Sequence, residues 1–349
     1  MINAMKIKER YDLEFFWVCL KIGLGILIYR IGLNILSYLS GFVIIITAIL
    51  FREDASLLNI VSNLSSGAAA VVSFTLGALV IYVGLHIGKH RNYQRIHKRI
   101  GFSWFTPLIV VAAVGINYVM AGLNAYIMSF ISSYEMVDAS TETMTTVVGI
   151  SLWEIFAMLI STAVIPAICE EIVFRGLILT NLEPYGKGTA ILGSAFLFGL
   201  MHMNPAQFLY TTVLGLMLGL IYVKTKSIWL CMVIHFANNG IATIIDTVYF
   251  ICEENVAIKM YTAMTLSVIV LGTVALFILA LLHRQKKRSA PAEVGSFGRV
   301  FDSEVGYAAH PVTGKRKILL FFSSTIAVFT VMVFVSMAVS MLCSFLGLM

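Results

Sequence analysis

Long apolar segments constrain this chain more than any other feature of its sequence. They recur from the N-terminal region to the C-terminus, at the length of about 20 residues that an α-helix needs to cross a bilayer. Of the 349 residues, 59% are hydrophobic and 12% are charged, whereas a soluble domain is about 45–50% apolar and about 25% charged. Backbone groups in lipid must be hydrogen-bonded within the spanning structure, which favours helices here. The sequence therefore predicts an all-α, polytopic protein of the lipid bilayer.

The apolar pattern predicts about nine transmembrane helices. They are expected at about residues 15–37, 66–88, 105–132, 149–182, 188–203, 206–223, 228–250, 261–283 and 318–346. Residues 15–51 are apolar enough for one long helix or two short ones. One span there places every basic loop on the same side of the membrane, the cytoplasmic side, because Lys and Arg accumulate there. We therefore predict one span in this stretch and a cytoplasmic N-terminus.

The chain is expected to have three parts. Residues 1–148 form N-terminal membrane helices, residues 149–250 a core of four helices, and residues 251–349 C-terminal membrane helices with a cytoplasmic loop at about 284–317. The composition of that loop predicts a mobile linker. The charged first turns do not resemble a cleaved signal, and the absence of an internal repeat disfavours transporters built from repeated halves.

Cysteine usage and net charge limit the classes of function. The five cysteines have no pairing or Cys-Xaa-Xaa-Cys spacing, which argues against a disulfide framework or a cysteine metal site. They are Cys19, Cys169, Cys231, Cys252 and Cys343. The net charge of +6 comes from basic residues in short loops, where they set topology, and no nucleic-acid partner is expected.

Charged residues inside spans are costly and mark candidate sites. The fourth span contains Glu170, Glu171 and Arg175 among apolar residues. Glu171 and Arg175 are four residues apart, so they share a helix face and can form an ion pair. Glu170 is turned about 100° from Glu171 and is predicted to face a cavity. A purely structural charged cluster remains the alternative.

The fifth span is predicted to end inside the bilayer. Phe198 and His202 lie four residues apart on one face, and Pro205 disfavours helical backbone at Asn204. A helix this short rises only about 24 Å, so the chain at His202 must line protein or water. A membrane histidine can equally be a packing residue.

The seventh span carries a second pair of polar residues. His235 and Asn239 lie four residues apart on one face, whereas Asn238 faces elsewhere and is predicted to bond to another helix. Asp246 is interpreted as structural or interfacial.

At 1.5 Å per residue, Glu170, His202, His235 and Asn239 lie about 18, 21, 11 and 17 Å from the inner ends of their helices. The polar groups of three helices are therefore expected to share one layer.

This inventory of groups suits hydrolysis. A carboxylate can take a proton from water while a histidine orients that water, and a second histidine and an amide can donate hydrogen bonds to an oxyanion. The sequence has no Gly-Xaa-Ser-Xaa-Gly elbow, no plausible Cys–His nucleophile and no His-Glu-Xaa-Xaa-His zinc signature.

Three ordered motifs resemble one protease family. Glu170-Glu171-Xaa-Xaa-Xaa-Arg175, Phe198-Xaa-Xaa-Xaa-His202 and His235-Xaa-Xaa-Xaa-Asn239 resemble the CPBP family. This family comprises the CAAX prenyl endopeptidases and the bacterial Abi or bacteriocin-processing and self-immunity proteins. The resemblance covers about residues 149–250. The flanking helices match only in being apolar.

The resemblance implies an intramembrane glutamic endopeptidase with no cofactor. Glu170 would be the general base with His202, while His235 and Asn239 would form the oxyanion hole, supported by Glu171 and Arg175. The implied partners are a peptide or protein substrate at the membrane and the lipid bilayer. The implied location is an integral membrane, the cell membrane in a bacterium.

Other functions remain open at this point. Glu170, His202 and His235 could be three ligands of a zinc hydrolase with one open position, although His202 and His235 are not at i, i+4 spacing and Arg175 is near. A non-catalytic immunity or scaffold protein could use the same fold. A proton-coupled transporter is a third possibility, weakened by the missing repeat.

Overall fold

The computed structural model describes residues 2–51, 55–87, 105–131, 150–289 and 314–345. Within these ranges the regular elements are helices and none is a strand, which confirms the all-α prediction. In chain order they are α1 (Ile2–Leu50), α2 (Ala55–Ile87), α3 (Phe105–Ile131), α4 (Leu152–Tyr185), α5 (Lys187–Met201), α6 (Pro205–Thr225), α7 (Ile228–Asp246), α8 (Val248–Ile251), α9 (Glu254–Ser289) and α10 (Gly314–Phe345).

The described helices are those of an integral, multi-pass membrane protein. Seven of them are long and apolar enough to cross a bilayer, counting α7 together with α8. Helix α5 is apolar but shorter than these spans. The membrane prediction is confirmed, and the total of nine spans stays a prediction.

Several helices extend beyond the predicted bounds. The first stretch is one continuous helix, as predicted, but α2 begins at Ala55 although the sequence suggested residue 66. The polar residues in its first turns bond within the helix: Asn63 donates to the carbonyl of Asn59, and Ser65 to that of Ser62. Such local bonds satisfy polar side chains without ending a helix.

Helices occupy both ends of the segment 284–317, which the sequence analysis predicted as a loop. Helix α9 continues to Ser289, since Arg, Gln and Lys are good helix formers in water. Helix α10 begins at Gly314. The remainder of the predicted loop, residues 290–313, lies outside the described residues, as do the basic cluster at 89–99 and the acidic residues at 135–142.

The chain forms two compact units. The first comprises Met1–Ile96, Ile168–Ser194 and Arg299–Met349. In this unit α1 packs against α2 and α10, and α2 also packs against the second half of α4. Glycines allow α1 and α2 to approach closely, because a Cβ at Gly77 would lie 2.7 Å from the carbonyl oxygen of Gly25. Beside this contact, the Tyr29 and Phe74 rings stack with centroids 4.1 Å apart.

The second unit comprises His97–Ala167 and Ala195–Gly298. Helix α3 packs against α6, α7 and α9, and α7 packs against the first half of α4. Helices α3 and α9 approach closely at Gly115 and Gly272, where a Cβ on either glycine would collide with the backbone of the other. Two of the four boundaries between the units fall inside described helices, at residues 167/168 of α4 and 194/195 of α5. The candidate residues are therefore distributed over two units.

The structure describes the side chains of four of the five cysteines. Cys19, Cys169, Cys231 and Cys252 are all free thiols. The side chain of Cys343 lies outside the described part of the chain.

Candidate active site

Helix α4 changes its winding around the candidate carboxylates. It starts at a capping box in which Ser151 and Glu154 bond to each other's backbone N–H. Two π-helical segments, Ile160–Val164 and Ile172–Leu179, then flank the α-helical Ile165–Glu171. Wide turns of this kind are rare and are frequent at functional sites. The sequence analysis did not predict them.

Pro166 is the local cause of the first wide turn. Proline has no N–H and cannot bond to the carbonyl four residues earlier, which belongs to Thr162. The turn before Pro166 instead uses a bond from the N–H of Ile165 to the carbonyl of Ile160. The proline in an apolar helix was the sequence signal for this irregularity.

The predicted ion pair of α4 is present in the first unit. The Nη1 of Arg175 donates to Oε1 of Glu171 over 2.8 Å, and both side chains are 0% exposed. Glu170 is also buried, with 7% of its surface exposed. A buried charge needs a partner to be tolerated, so Arg175 and Glu171 stabilise each other. The separate role predicted for Glu170 stays a prediction.

Tyr29 of α1 is a neighbour of Glu170 that the sequence analysis missed. It is buried, lies close enough to Glu170 for an electrostatic interaction and is followed in the sequence by Arg30. All three residues belong to the first unit. The charged Arg30 inside the first span was the available signal, because an intramembrane cation commonly lies near a functional group.

His202 lies at a break in the backbone of the second unit, as predicted. Helix α5 ends at Met201, and Met203 adopts a left-handed conformation with φ of 56°. Asn204 is extended, with φ of −125° and ψ of 114°. Its side-chain oxygen accepts from the N–H of Ala206 over 2.9 Å and so caps α6. His202 is therefore held in a turn between two helices.

The hydrogen bond of His202 fixes the roles of its ring nitrogens. Its Nδ1 is 2.8 Å from the carbonyl oxygen of Phe198. A carbonyl oxygen only accepts, so Nδ1 carries the proton, and in the neutral imidazole Nε2 presents its lone pair. That lone pair can accept a hydrogen bond from water or bind a metal ion.

Phe198 connects the two candidate histidines. Its ring centroid is 5.3 Å from that of His202 and 5.7 Å from that of His235, with edge-on geometry in both cases. Phe198 and His235 are buried. One phenyl ring therefore contacts the histidines of α7 and of the turn after α5, and the structure brings these two predicted residues together.

Asn239 is held by neighbours on two helices of the second unit. Its Nδ2 donates to the carbonyl of Thr162 over 3.0 Å, and its Oδ1 accepts from Nδ2 of Asn238 over 3.0 Å. Asn238 in turn accepts from Nδ2 of Asn117 on α3 over 2.9 Å. The prediction that Asn238 bonds to another helix is confirmed. Asp246, the last residue of α7, is exposed.

The predicted set thus divides by unit. Glu170, Glu171 and Arg175 lie in the first unit, and His202, His235 and Asn239 in the second. The common layer predicted from helix depths stays a prediction. In the described part of the chain, no three His, Cys, Asp or Glu side chains are grouped to hold a metal ion.

Comparisons with known proteins found one family model and one curated relative that are similar to part of this chain. Residues 152–241 match the family model described as type II CAAX prenyl endopeptidase Rce1-like. "Putative membrane peptidase YdiL" of Bacillus subtilis (strain 168) is 31% identical over 90 residues. That alignment covers 26% of this chain and 37% of the relative, so the chain spans little more than a third of the curated protein it matches. No solved structure shows significant similarity to the chain.

The matched segment contains each residue of the three motifs, from Glu170 to Asn239. It comprises α4, α5, α6 and most of α7. The resemblance inferred from the motifs is thereby confirmed: over residues 152–241 this integral membrane protein is similar to the type II CAAX prenyl endopeptidases of the CPBP family.

Proposed function

We propose that the chain is an intramembrane endopeptidase that hydrolyses a peptide bond of a membrane-associated protein or peptide. The observation that carries the proposal is the family match over residues 152–241, which includes every residue of the three motifs. A buried carboxylate such as Glu170 and a histidine such as His202, whose Nδ1 bonds to a backbone carbonyl, are the kinds of group that such a reaction uses.

In the proposed reaction, Glu170 takes a proton from water while Nε2 of His202 accepts a hydrogen bond from the same water. The water oxygen then bonds to the peptide carbonyl carbon, and the carbonyl oxygen becomes an oxyanion. Donors on His235 and Asn239 stabilise that charge. Glu170 returns its proton to the amide nitrogen as the C–N bond breaks, which gives a carboxylic acid and an amine.

The supporting residues have separate tasks. Arg175 compensates the charge of Glu171 over 2.8 Å, so the second carboxylate is not the group that exchanges protons. Phe198 contacts the rings of both histidines.

A zinc hydrolase is the second candidate, because a histidine that donates Nδ1–H to a carbonyl and presents Nε2 is also typical of a metal ligand.

The test is cleavage of a library of membrane-associated peptides, prenylated and unprenylated, by the purified protein in lipid nanodiscs. The wild type is expected to cleave a subset of the library. Glu170→Gln keeps the shape of the side chain, removes the base and is expected to fold normally without cleaving.

Asp246→Asn is the matched control, since it neutralises an exposed carboxylate of α7. It should cleave like the wild type. A folded wild type that cleaves nothing would contradict the proposal and favour the non-catalytic scaffold. Full activity in Glu170→Gln would remove Glu170 from the mechanism.

A further inference from the structure

A chain of side-chain amides leads to Asn239 through the second unit. Asn117 on α3 donates to Asn238, Asn238 donates to Asn239, and Asn239 donates to the backbone of α4, over 2.9, 3.0 and 3.0 Å. Each of the three amides donates through its Nδ2, and the side-chain oxygens of Asn238 and Asn239 each accept one of these bonds. The three helices are thereby joined through one continuous set of hydrogen bonds.

The last acceptor of this chain exists because of Pro166. The carbonyl of Thr162 would normally accept from the N–H four residues later, but that residue is a proline without one. The amide of Asn239 takes the place of the missing donor. A backbone irregularity in α4 thus provides the docking point for a side chain of α7.

A second contact ties the same two turns together. The hydroxyl oxygens of Thr162 and Thr243 are 2.8 Å apart, and the Thr243 hydroxyl donates to the carbonyl of Asn239 over 2.9 Å. The backbone at Asn239 is therefore restrained as well as its side chain. Both restraints act on the residue that the proposed function makes an oxyanion donor.

The amide geometry leaves one donor for that function. Nδ2 of an asparagine carries two N–H groups, and one of them points to Thr162. With Oδ1 engaged by Asn238, the amide cannot rotate without losing both bonds. The direction of the second N–H is therefore fixed before substrate binds, and fixed donors stabilise an oxyanion without reorganisation.

We infer that Asn238 and Pro166 are positioning residues, which act through Asn239 by fixing the orientation of its amide. Asn238 holds the oxygen of the amide, and Pro166 frees the carbonyl that holds its nitrogen. Asn117 supports Asn238 from α3. This inference rests on the proposed function, because it gives Asn239 the oxyanion role.

The experiment is a set of kinetic double-mutant cycles on the full chain in lipid nanodiscs. Asn238→Leu is expected to lower kcat about tenfold, the scale of one positioning hydrogen bond, and to leave KM unchanged because an oxyanion donor acts in the transition state. In an Asn239→Ala background the same substitution should change kcat less than twofold. Residues that act through one another show such non-additivity.

Pro166→Ala supplies a variant that does not depend on removing a stabilising group. It restores a backbone N–H that competes with Asn239 for the carbonyl of Thr162, and it removes a residue that disfavours helix. Folded yield should be kept or improved, while kcat falls about tenfold in the wild type and is unchanged in the Asn239→Ala background. If Pro166 had only a structural role, a substitution that stabilises the helix would not lower kcat.

Asn181→Leu is the control, since the Asn181 amide donates only to the carbonyl of Leu177 on its own helix. It should keep the wild-type kcat. If Asn239→Ala is impaired while Asn238→Leu and Pro166→Ala retain full kcat, or if their effects multiply with that of Asn239→Ala, the positioning inference is wrong and the proposed function stands. If Asn239→Ala itself keeps full kcat, the oxyanion role fails, and the inference fails with it.

Discussion

The carboxylates of α4 lie next to each other in sequence but have different surroundings. Glu171 is 0% exposed and paired with Arg175 over 2.8 Å. Removing one partner of a buried pair leaves an uncompensated charge, which commonly costs about 3–5 kcal/mol. Glu171→Ala and Arg175→Ala are therefore expected to lose stability and activity together, measured by thermal unfolding in detergent and by peptide cleavage.

A double substitution controls for this loss. Replacing the pair with apolar residues of similar size, Glu171→Met with Arg175→Leu, removes both charges and should recover most of the lost stability. Glu170→Gln should unfold at the wild-type temperature. Equal loss of folding in Glu170→Gln and Glu171→Ala would show that the two carboxylates share one structural role.

Phe198 is expected to matter through the two imidazoles that it contacts. Phe198→Leu keeps an apolar side chain but removes the ring that touches His202 and His235, so kcat should fall because both rings lose a restraint. Phe196→Leu is the matched control on the same helix, since the Phe196 ring contacts Phe208. Similar kcat values for the two variants would contradict a special role for Phe198.

At the scale of helices, small residues of α6 permit a close contact with α5. A Cβ at Gly215 would lie 3.0 Å from the Cα of Ala195, and Gly219 one turn later is buried. This agrees with the small-xxx-small pattern of residues 215 and 219. Gly215→Leu should lower the folded yield in membranes, measured by size-exclusion chromatography after detergent extraction.

Gly122 offers the comparison for this substitution. A Cβ at Gly122 would meet no atom within 4 Å, so Gly122→Leu places the same side chain in open space and should keep the wild-type yield. Equal yields for Gly122→Leu and Gly215→Leu would mean that the contact with Ala195 is not a packing constraint.

The sequence predicted the all-helical fold and the motifs of the candidate site better than it predicted where helices end and where the backbone of a helix is irregular. Apolar length identified the spans, and i, i+4 spacing identified the Glu171–Arg175 pair. The bounds of α2 and α9 were wrong where polar residues such as Asn63 and Arg284 continue a helix. The wide turn before Pro166 and the amide chain from Asn117 depend on contacts between distant residues, which spacing along one helix does not reveal.

At the scale of the whole molecule, the basic clusters predict the topology. With a single first span, the cluster at 89–99 and the loop after α9 are both cytoplasmic, whereas the acidic residues near 140 face the opposite side. Reporter fusions after residue 95 and within 290–310 should read cytoplasmic, and a fusion after residue 140 should read external. An external signal at residue 95 would overturn the predicted number of spans.

In the proposed mechanism, Glu170 activates the water without a metal ion. Its most direct test is elemental analysis of active, purified protein, followed by a cleavage assay before and after a strong chelator. We expect no stoichiometric metal, unchanged cleavage after chelation, and no cleavage by Glu170→Gln in either condition. Stoichiometric zinc, with activity lost on its removal and restored on its return, would contradict the glutamate mechanism and favour a zinc hydrolase.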